Sequence, residues 1–305
     1  MNSRISLTGG SGFVGQNLIP YLESLGSLVK IISRDDLLNN NVNNFKDCDV
    51  FIHLAGKAHD LKKVSNPEEY YKVNFELTKM LYDTFLKSNA KKFLFISSVK
   101  ASADVVSDVL HENHNANPQT DYGKSKLMAE EYIREQLLPE GKSYFILRPC
   151  MIHGPGNKGN LNLLFNVVSK GIPYPLGAFE NKRSFLSIAN LNFIIAKLIE
   201  SDIVENGIYN VSDDEALSTN QVIRLISEIV GVKSRLWRVN SRIILLLARL
   251  GDYFKLPLNS DRLQKLTESY VVSNEKIKCA IGIKELPVSA LKGLSTTIKS
   301  FSTKL

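Results

Sequence analysis

The residues best suited to acid–base chemistry are a tyrosine and a lysine four positions apart, Tyr122 and Lys126. The pattern of residues 121–126 predicts the start of a helix, which would place both side chains on a single face. An ammonium group there favours the phenolate and lowers the pKa of the tyrosine, so the phenol could pass a proton to or from a substrate hydroxyl as a hydride moves. Ser98 ends a strand-like run 24 residues earlier (122 minus 98) and could hydrogen-bond the same oxygen.

A glycine-rich turn near the start of the chain could bind the phosphates of a dinucleotide. Gly9, Gly12 and Gly15 follow an apolar run and open into a helix-like stretch, residues 16–25. Glycines allow a sharp turn and a close approach to a pyrophosphate, while a helix N-terminus supplies free N–H groups. We expect these glycines, with Phe13 and Val14 between them, to bind a nicotinamide dinucleotide.

The end of the second strand bears on which dinucleotide is bound. An acidic residue there would hold the ribose 2′-hydroxyl of NAD. Instead the run ends in Ser33 and Arg34, a hydroxyl and a guanidinium that suit a 2′-phosphate, so NADP(H) is favoured. Asp35 and Asp36 follow directly, and if the strand runs two residues further one of them could hold NAD(H) instead.

The elements that must position these residues alternate along the N-terminal half. Runs typical of strands cover residues 5–8, 28–32, 50–54, 93–97 and 144–147. Such alternation predicts an α/β fold, a doubly wound parallel sheet of the Rossmann type with helical crossovers. Helical periodicity returns at residues 188–200, 219–230, 241–254 and 275–281. We expect residues 1–150 to form the dinucleotide-binding domain with the triad, and residues 151–305 to form a smaller, mostly helical lobe with some segments returning to the large domain.

Composition and charge narrow the kinds of ligand, metal site and cellular compartment to expect. The net charge of +7 and pI near 9.1 come from basic residues scattered along the chain, which phosphate-bearing ligands explain more simply than nucleic acid. Cys48, Cys150 and Cys279 are widely separated, so we expect reduced thiols and no metal site. The first residues run straight into a strand, which favours a cytoplasmic protein without a secretory signal.

One apolar run, residues 243–248, invites comparison with a membrane segment. It is bounded by Arg242 and Arg249 and falls far short of a spanning length, so a buried or interfacial helix is expected. The only tryptophan, Trp237, lies just before it, and we expect it to pack within the small lobe.

Taken together, the motifs resemble the extended short-chain dehydrogenase/reductase family, and most closely its nucleotide-sugar epimerase/dehydratase branch. The resemblance covers nearly the whole chain. It is carried by Gly9, Gly12 and Gly15, His53-Leu54-Ala55-Gly56, Asn74, Ser97-Ser98, Tyr122-Gly123-Lys124-Ser125-Lys126, Leu147-Arg148-Pro149, Gly154-Pro155-Gly156, Arg183-Ser184-Phe185 and Tyr270-Val271-Val272-Ser273.

The resemblance implies a role for each matching residue. Ser98 would position the substrate, Tyr122 would be the general acid or base, and Lys126 would tune Tyr122 and bind the nicotinamide ribose. Further residues implied at the cofactor are Leu54, Ala55, Gly56 and Asn74. Arg183 and Arg262 match arginines that contact the pyrophosphate of a sugar nucleotide, and Asn160 falls near a nucleotide-binding asparagine. The resemblance also implies a UDP-sugar as substrate and a homodimer that includes the Tyr122 helix.

Departures from the epimerase pattern point to a particular branch. Met151 stands where UDP-galactose 4-epimerases usually carry asparagine, and Lys100-Ala101-Ser102 replaces their usual Val-Tyr-Gly. The segment 152–160 looks more like bacterial reductases of UDP-4-keto-6-deoxy-N-acetylhexosamines used for surface polysaccharides. The leading expectation is therefore an NADPH-dependent 4-reductase; a UDP-hexose 4-epimerase with tightly bound NAD and a non-catalytic NADP sensor are the alternatives.

Overall fold

A six-stranded sheet in which all neighbouring strands are parallel forms the centre of the fold. Across the sheet the strands follow the order Leu28–Ile32, Arg4–Thr8, Val50–His53, Lys92–Ile96, Ser143–Pro149 and Gly207–Val211. The computed structural model describes residues 2–33, 35–36, 47–57, 66–157, 159–254 and 259–302. The strands are β1 (Arg4–Thr8), β2 (Leu28–Ile32), β3 (Val50–His53), β4 (Lys92–Ile96), β5 (Val109–Leu110), β6 (Ser143–Pro149), β7 (Met151–His153), β8 (Phe185–Ser187), β9 (Gly207–Val211) and β10 (Val271–Val272).

Helices cover both faces of this sheet and make up most of the C-terminal part. They are α1 (Phe13–Ser24), α2 (Pro67–Tyr70), α3 (Leu77–Lys87), α4 (Asp121–Glu135), α5 (Asn160–Ser169), α6 (Ile188–Glu200), α7 (Thr219–Val230), α8 (Ser241–Phe254), α9 (Ser260–Thr267), α10 (Glu275–Ala280) and α11 (Ala290–Ser302). A π-helix (Tyr71–Glu76) joins α2 to α3, and a 3-10 turn (Val99–Ala101) follows β4.

Alternating side chains on the central strands explain why both faces are covered. In β3, Ile52 packs in one buried cluster while its neighbour Phe51 packs in another, and β4 repeats the division with Leu94 and Phe93. Successive strand residues point to opposite faces, so strands that are buried at every position, as β3 and β4 are, need a layer of helices on each side. The predicted doubly wound parallel sheet is confirmed.

Strand register brings the key loops to one edge of the sheet. Thr8 at the end of β1 pairs with His53 at the end of β3, and His53 pairs with Phe95 near the end of β4. The glycine turn, the segment 54–57 and the two serines therefore leave the sheet side by side. The strand order reverses between β1 and β3, which is where open α/β sheets bind their ligands.

The C-terminal part contributes to the sheet and also forms buried clusters of its own; its residues outside the sheet are here called the small lobe, and the domain boundary at residue 150 stays a prediction. Strand β9 pairs with β6, so part of this half lies in the main sheet. Helices α5, α7 and α11 share a separate buried cluster, and α8 and α9 share another. Helices α5 and α11 were not among the elements predicted from the sequence. No helix in the described ranges combines the length and the apolar character needed to cross a bilayer.

Candidate active site

The Tyr122 helix packs tightly against the turn that follows Ser98. A Cβ atom on Gly123 would lie 2.4 Å from the carbonyl oxygen of Lys100, so this position admits only glycine at the observed separation. Helix α4 begins at Asp121, as predicted, and is capped by the Thr120 side chain. This close packing brings the Tyr122 phenol into a hydrogen bond with the Ser98 side chain.

Lys126 lies one turn further along α4 and is buried against the sheet. Its Nζ donates to the carbonyl oxygen of Ile96 at 2.9 Å and stands 4.7 Å from the centre of the Phe95 ring. A Cβ atom on Gly56 would be 3.1 Å from this Nζ and 3.1 Å from Oδ1 of Asn74. The structure therefore gathers Lys126, Gly56 and Asn74 at the edge where β3 and β4 end.

Asn74 owes its position to the π-helix between α2 and α3. π-Helical turns are rare and cost stability, and they recur at functional sites. Within this turn Asn74 is fully buried, its Oδ1 accepts from the backbone N–H of Lys57 at 2.7 Å, and its Nδ2 donates to the Lys57 carbonyl and to Oγ of Ser125 at 3.2 and 3.1 Å. Ser125 in turn donates to the carbonyl oxygen of Tyr122 at 2.9 Å. Asn74 thus links the loop after β3 to the Tyr122 helix.

Glu130 and Arg148 form a buried ion pair close to Lys126. Glu130, one turn beyond Lys126, accepts two hydrogen bonds of 3.0 Å from Nε of Arg148 and a further one from its Nη2. Ser97 donates its hydroxyl to the same carboxylate. Both charged side chains are at most 3% exposed. The two adjacent serines therefore divide their contacts, since Ser97 anchors helix α4 from below while Ser98 faces the phenol.

Burial controls the protonation of this site. Burial raises the pKa of Tyr122, which the hydrogen bond from Ser98 partly opposes. Burial lowers the pKa of Lys126 to about 8, although the Glu130 carboxylate acts in the opposite direction. Burial, and then the Lys126 charge, lower the pKa of His53 to about 3, so His53 is a neutral link between Thr8 and Thr78. The sequence analysis expected Lys126 to lower the pKa of Tyr122. That expectation was wrong, because burial is the largest influence on the phenol and raises its pKa.

The glycine turn has the shape that a pyrophosphate needs. Gly9 has a φ of +77°, and a Cβ atom there would lie 2.5 Å from the backbone nitrogen of Ala55. A Cβ atom on Gly15 would lie 2.6 Å from Cα of Gly10. Gly12 precedes α1, whose first turn, Phe13-Val14-Gly15, carries no side-chain charge to oppose an anion. The free N–H groups of that turn fit a dinucleotide phosphate.

The residues after β2, where the ribose 2′ position of the cofactor is expected, favour no single cofactor. Strand β2 ends at Ile32, as predicted, and Ser33 follows as an exposed residue. Its backbone N–H and hydroxyl both donate to Oδ2 of Asp36, at 3.0 and 2.6 Å. Ser33 thus holds a carboxylate close to the end of β2. Arg34, the other residue predicted to select NADP(H), lies outside the described residues.

Two cations, Arg183 and Lys100, lie near one another beside the turn that follows Ser98. The half-buried Arg183 donates through Nε to the carbonyl oxygen of Glu268 at 3.2 Å and through Nη2 to that of Lys265. Burial lowers the pKa of Arg183 and that of Lys100, and the two charges repel one another. Lys100 Nζ lies 4.4 Å from the centre of the Tyr270 ring, whose hydroxyl donates to the Ala103 carbonyl at 2.7 Å. The turn after Ser98 is therefore joined to the small lobe.

The remaining predicted substrate residues are more peripheral. Asn160 is the exposed first residue of α5, and Arg262 is exposed on α9, one turn before Lys265. Their roles stay predictions. Sequence reasoning gave no role to Glu130, or to Tyr70, whose ring meets Tyr122 edge-on at 6.2 Å. The spacing of Glu130, four residues after Lys126 on the same helix face, was the available signal.

Comparison with known proteins agrees with this arrangement. A sequence profile described as the NAD dependent epimerase/dehydratase family matches residues 5–212. UDP-glucose 4-epimerase of Vibrio cholerae is 30% identical over 99% of this chain and 96% of its own length. The N-acetyl-alpha-D-glucosaminyl-diphospho-ditrans,octacis-undecaprenol 4-epimerase of Escherichia coli O157:H7 is 27% identical over 91% of this chain and 85% of its own length.

Solved structures share the fold. RMD from Pseudomonas aeruginosa, complexed with NADPH, superimposes with a TM-score of 0.74 at 21% identity, covering 99% of this chain and all of that one. The profile spans well over half of the 305 residues, and the Vibrio relative spans nearly all of them. The chain is therefore an enzyme of the NAD-dependent epimerase/dehydratase family, among the extended short-chain dehydrogenases/reductases whose members are nucleotide-sugar epimerases and reductases.

Proposed function

We propose that the chain is an NADPH-dependent reductase that converts a UDP-linked 4-keto-6-deoxy-N-acetylhexosamine to the 4-hydroxy sugar, for surface polysaccharide synthesis. The observation that carries the proposal is the contact between Ser98 and Tyr122 beside the buried Lys126. In the proposed complex both hydroxyls would donate to one substrate oxygen. Oxidoreduction at a sugar carbonyl is the chemistry that such a pair supports.

The chain's own residues move and hold the proton. Because burial raises the pKa of Tyr122, the phenol is protonated at neutral pH and can donate to the oxygen at C4. The Ser98 hydroxyl donates a hydrogen bond to the same oxygen as negative charge develops on it. A bound nicotinamide dinucleotide supplies the hydride that C4 accepts. Lys126 and Asn74 border Gly56, where the nicotinamide ribose is expected.

The choice of NADPH rests on the residues after β2. Ser33 brings no charge of its own to that position, and Arg34 supplies a cation in the sequence. The Asp36 carboxylate held by Ser33 favours NAD instead, so direct titration of both cofactors is part of the test.

The diphosphate of the substrate would lie against Arg183. The guanidinium is half-buried and Lys100 lies close by, so the two positive charges meet an anion in a partly desolvated setting. Arg262 and Asn160 are proposed as further contacts to the nucleotide. We also propose a homodimer whose interface includes α4. Light scattering at micromolar concentration tests this, and finding only a monomer would contradict it.

A second candidate is 4-epimerisation of a diphosphate-linked hexose. It is favoured by the names of the Vibrio cholerae and Escherichia coli relatives, both 4-epimerases. In that reaction Tyr122 would take the proton of the C4 hydroxyl and a bound NAD would take the hydride; after the keto sugar turns, the same hydride would return to the other face of C4. An epimerase retains its cofactor through the cycle, whereas a reductase must exchange it at each turnover.

The test follows the fate of the cofactor. The purified protein is titrated with NADPH and NADH, and dinucleotide oxidation is followed with a UDP-4-keto-6-deoxy-N-acetylhexosamine. Stoichiometric consumption of NADPH is expected, and Tyr122→Phe should lower kcat by about 10³-fold while cofactor affinity is retained. The matched control is Tyr71→Phe, which removes a neighbouring tyrosine hydroxyl that donates to Asp121. Tightly retained NAD with no net consumption would contradict the reductase and favour the epimerase. No turnover with any nucleotide sugar would favour a non-catalytic sensor.

A further inference from the structure

Helix α8 carries two apolar stripes, of which only one is covered. The inner stripe, Ile244, Ala248 and Gly251, is buried against Leu176 and Leu263. The second, here called the outer stripe, consists of Ile243, Leu246, Leu247, Leu250, Tyr253 and Phe254. These six side chains recur at intervals of three and four residues, so they share about a third of the helix circumference.

The outer stripe is open to solvent along its whole length. Its side chains are 44% exposed at Leu250 and rise to 81% exposed at Tyr253. Single exposed apolar residues are ordinary on protein surfaces, but a contiguous row of six is the kind of patch that marks an interaction site.

The segment that carries the outer stripe is strongly basic. Residues 233–254 contain five basic side chains and one acidic one, Asp252, a net charge of +4 (five minus one). The basic residues are all exposed: Lys233, Arg235, Arg238, Arg242 and Arg249. Arg242 and Arg249 are seven residues apart and flank the same edge of the stripe. Asp252 is held by Ser260, whose backbone N–H donates to it at 2.9 Å.

We propose that the outer stripe of α8 is a docking surface for a bilayer that contains anionic phospholipids. An apolar face bordered by arginines suits a helix that lies in the plane of the interface, with its side chains among the acyl chains and its cations among the phosphates. The helix has 14 residues, about 21 Å in length, which suits a position along the surface and is too short for a span.

Aromatic residues at both ends support an interfacial position. Trp237, expected from the sequence to be packed, is 56% exposed just before the helix, and Tyr253 and Phe254 close it. Tryptophan and tyrosine concentrate where apolar chains meet headgroups. A second copy of the chain is a poorer occupant, because a two-fold interface pairs a patch with itself and would bring the two sets of arginines together.

Helix α9 packs against α8 and also contacts Arg183. Arg183 is bonded to the carbonyl oxygens of Lys265 and Glu268 at the end of α9. Docking of α8 would therefore place the membrane near the helix that contacts Arg183. The docking itself does not depend on the reaction that the enzyme catalyses.

The single tryptophan makes the proposal testable with the full-length chain. We expect Trp237 emission to shift to shorter wavelength with vesicles of equal parts phosphatidylglycerol and phosphatidylcholine, and the chain to float with them. Leu246→Glu combined with Leu250→Glu should weaken vesicle binding at least about tenfold. Arg242→Gln combined with Arg249→Gln should reduce binding and its dependence on salt. Leu137→Glu with Ile203→Glu, at positions 93% and 89% exposed, is the matched control and should bind like the unmodified chain.

Three outcomes would overturn the proposal. One is an unmodified chain that neither floats with the anionic vesicles nor shifts its emission. Another is equal binding by the Leu246→Glu, Leu250→Glu chain with its circular dichroism spectrum unchanged. The third is a stable dimer in sedimentation equilibrium that this double variant dissociates, which would show that a second copy covers the stripe. Turnover is measured separately, so a chain that binds vesicles without turnover leaves the docking surface standing.

Discussion

The carboxyl edge of the sheet and helix α8 depart from the usual distribution of side chains in opposite directions. Around Lys126 the chain buries the ammonium group itself, the Glu130–Arg148 ion pair and Asn74. Along the outer stripe of α8 it exposes six large apolar side chains. Each departure carries a cost in stability, since buried polar groups lose water and exposed apolar groups order it. Costs of this kind are typical of regions where a ligand or a surface completes the structure, which supports both proposals made above.

The largest effect is expected from breaking the buried charge pair. Glu130→Gln leaves the Arg148 guanidinium buried without its counter-charge, so the free energy of unfolding should fall by about 3 kcal/mol. Urea unfolding measures the change, with the exposed Glu131→Gln on the same helix as control. A loss below about 1 kcal/mol would mean that water or rearrangement solvates Arg148 and that the edge is less dependent on its polar contacts than we infer.

The next effect is on catalysis and comes from the π-helix. Asn74→Ala removes the link between the loop after β3 and helix α4, so Gly56 and Lys126 should lose their relative position and kcat should fall about tenfold to a hundredfold. Steady-state kinetics with the cofactor saturating would measure it. Asn192→Ala, at a buried asparagine bonded to the Asn17 carbonyl, controls for a general loss of stability. Equal losses of kcat in both variants would contradict a positioning role for Asn74.

A smaller effect concerns pH. Burial lowers the pKa of Lys126 to about 8, and this ammonium is charged below that pH and neutral above it. Burial raises the pKa of Tyr122, so the phenol stays protonated over the same range. The kcat/KM for reduction, which reports ionisations of the free enzyme, should be flat near neutrality and about fourfold lower at about pH 8.5. A rate that rises over this interval would mean that the deprotonated phenol starts the reaction, as the oxidative half of an epimerisation requires.

The sequence predicted the sheet, the glycine turn and the start of the Tyr122 helix because their signals are local. Glycine spacing, apolar runs and the Tyr-x-x-x-Lys interval each lie within a few residues. The contacts that tune the site are long-range. Lys100 meets the charge of Arg183 only because Tyr270 joins the turn after β4 to the small lobe. The π-helix around Asn74 has no local signature, since its shape depends on contacts to Lys57 and Ser125.

The same limit applies to α8. Periodicity shows that the helix has apolar residues on most sides, but it does not tell which of two apolar stripes the rest of the fold covers. The packing of Leu176 and Leu263 decides that Ile244 and Ala248 are inside. The expectation that Trp237 is packed was wrong for a similar reason, since its neighbours Leu236 and Val239 pack against buried clusters while Trp237 is exposed.

The smallest expected effect separates the two regions most clearly. Leu246→Gln with Leu250→Gln exchanges two outer-stripe residues for a polar residue of nearly equal helix propensity. Because these side chains are 59% and 44% exposed, the free energy of unfolding in the absence of lipid should change by less than about 0.5 kcal/mol, in contrast to Glu130→Gln. Urea unfolding of the two variants side by side gives the comparison. A loss of 2 kcal/mol or so would mean that the outer stripe is already packed in solution, against a second copy of the chain, and that α8 is part of the folded assembly and not a surface held open for a membrane.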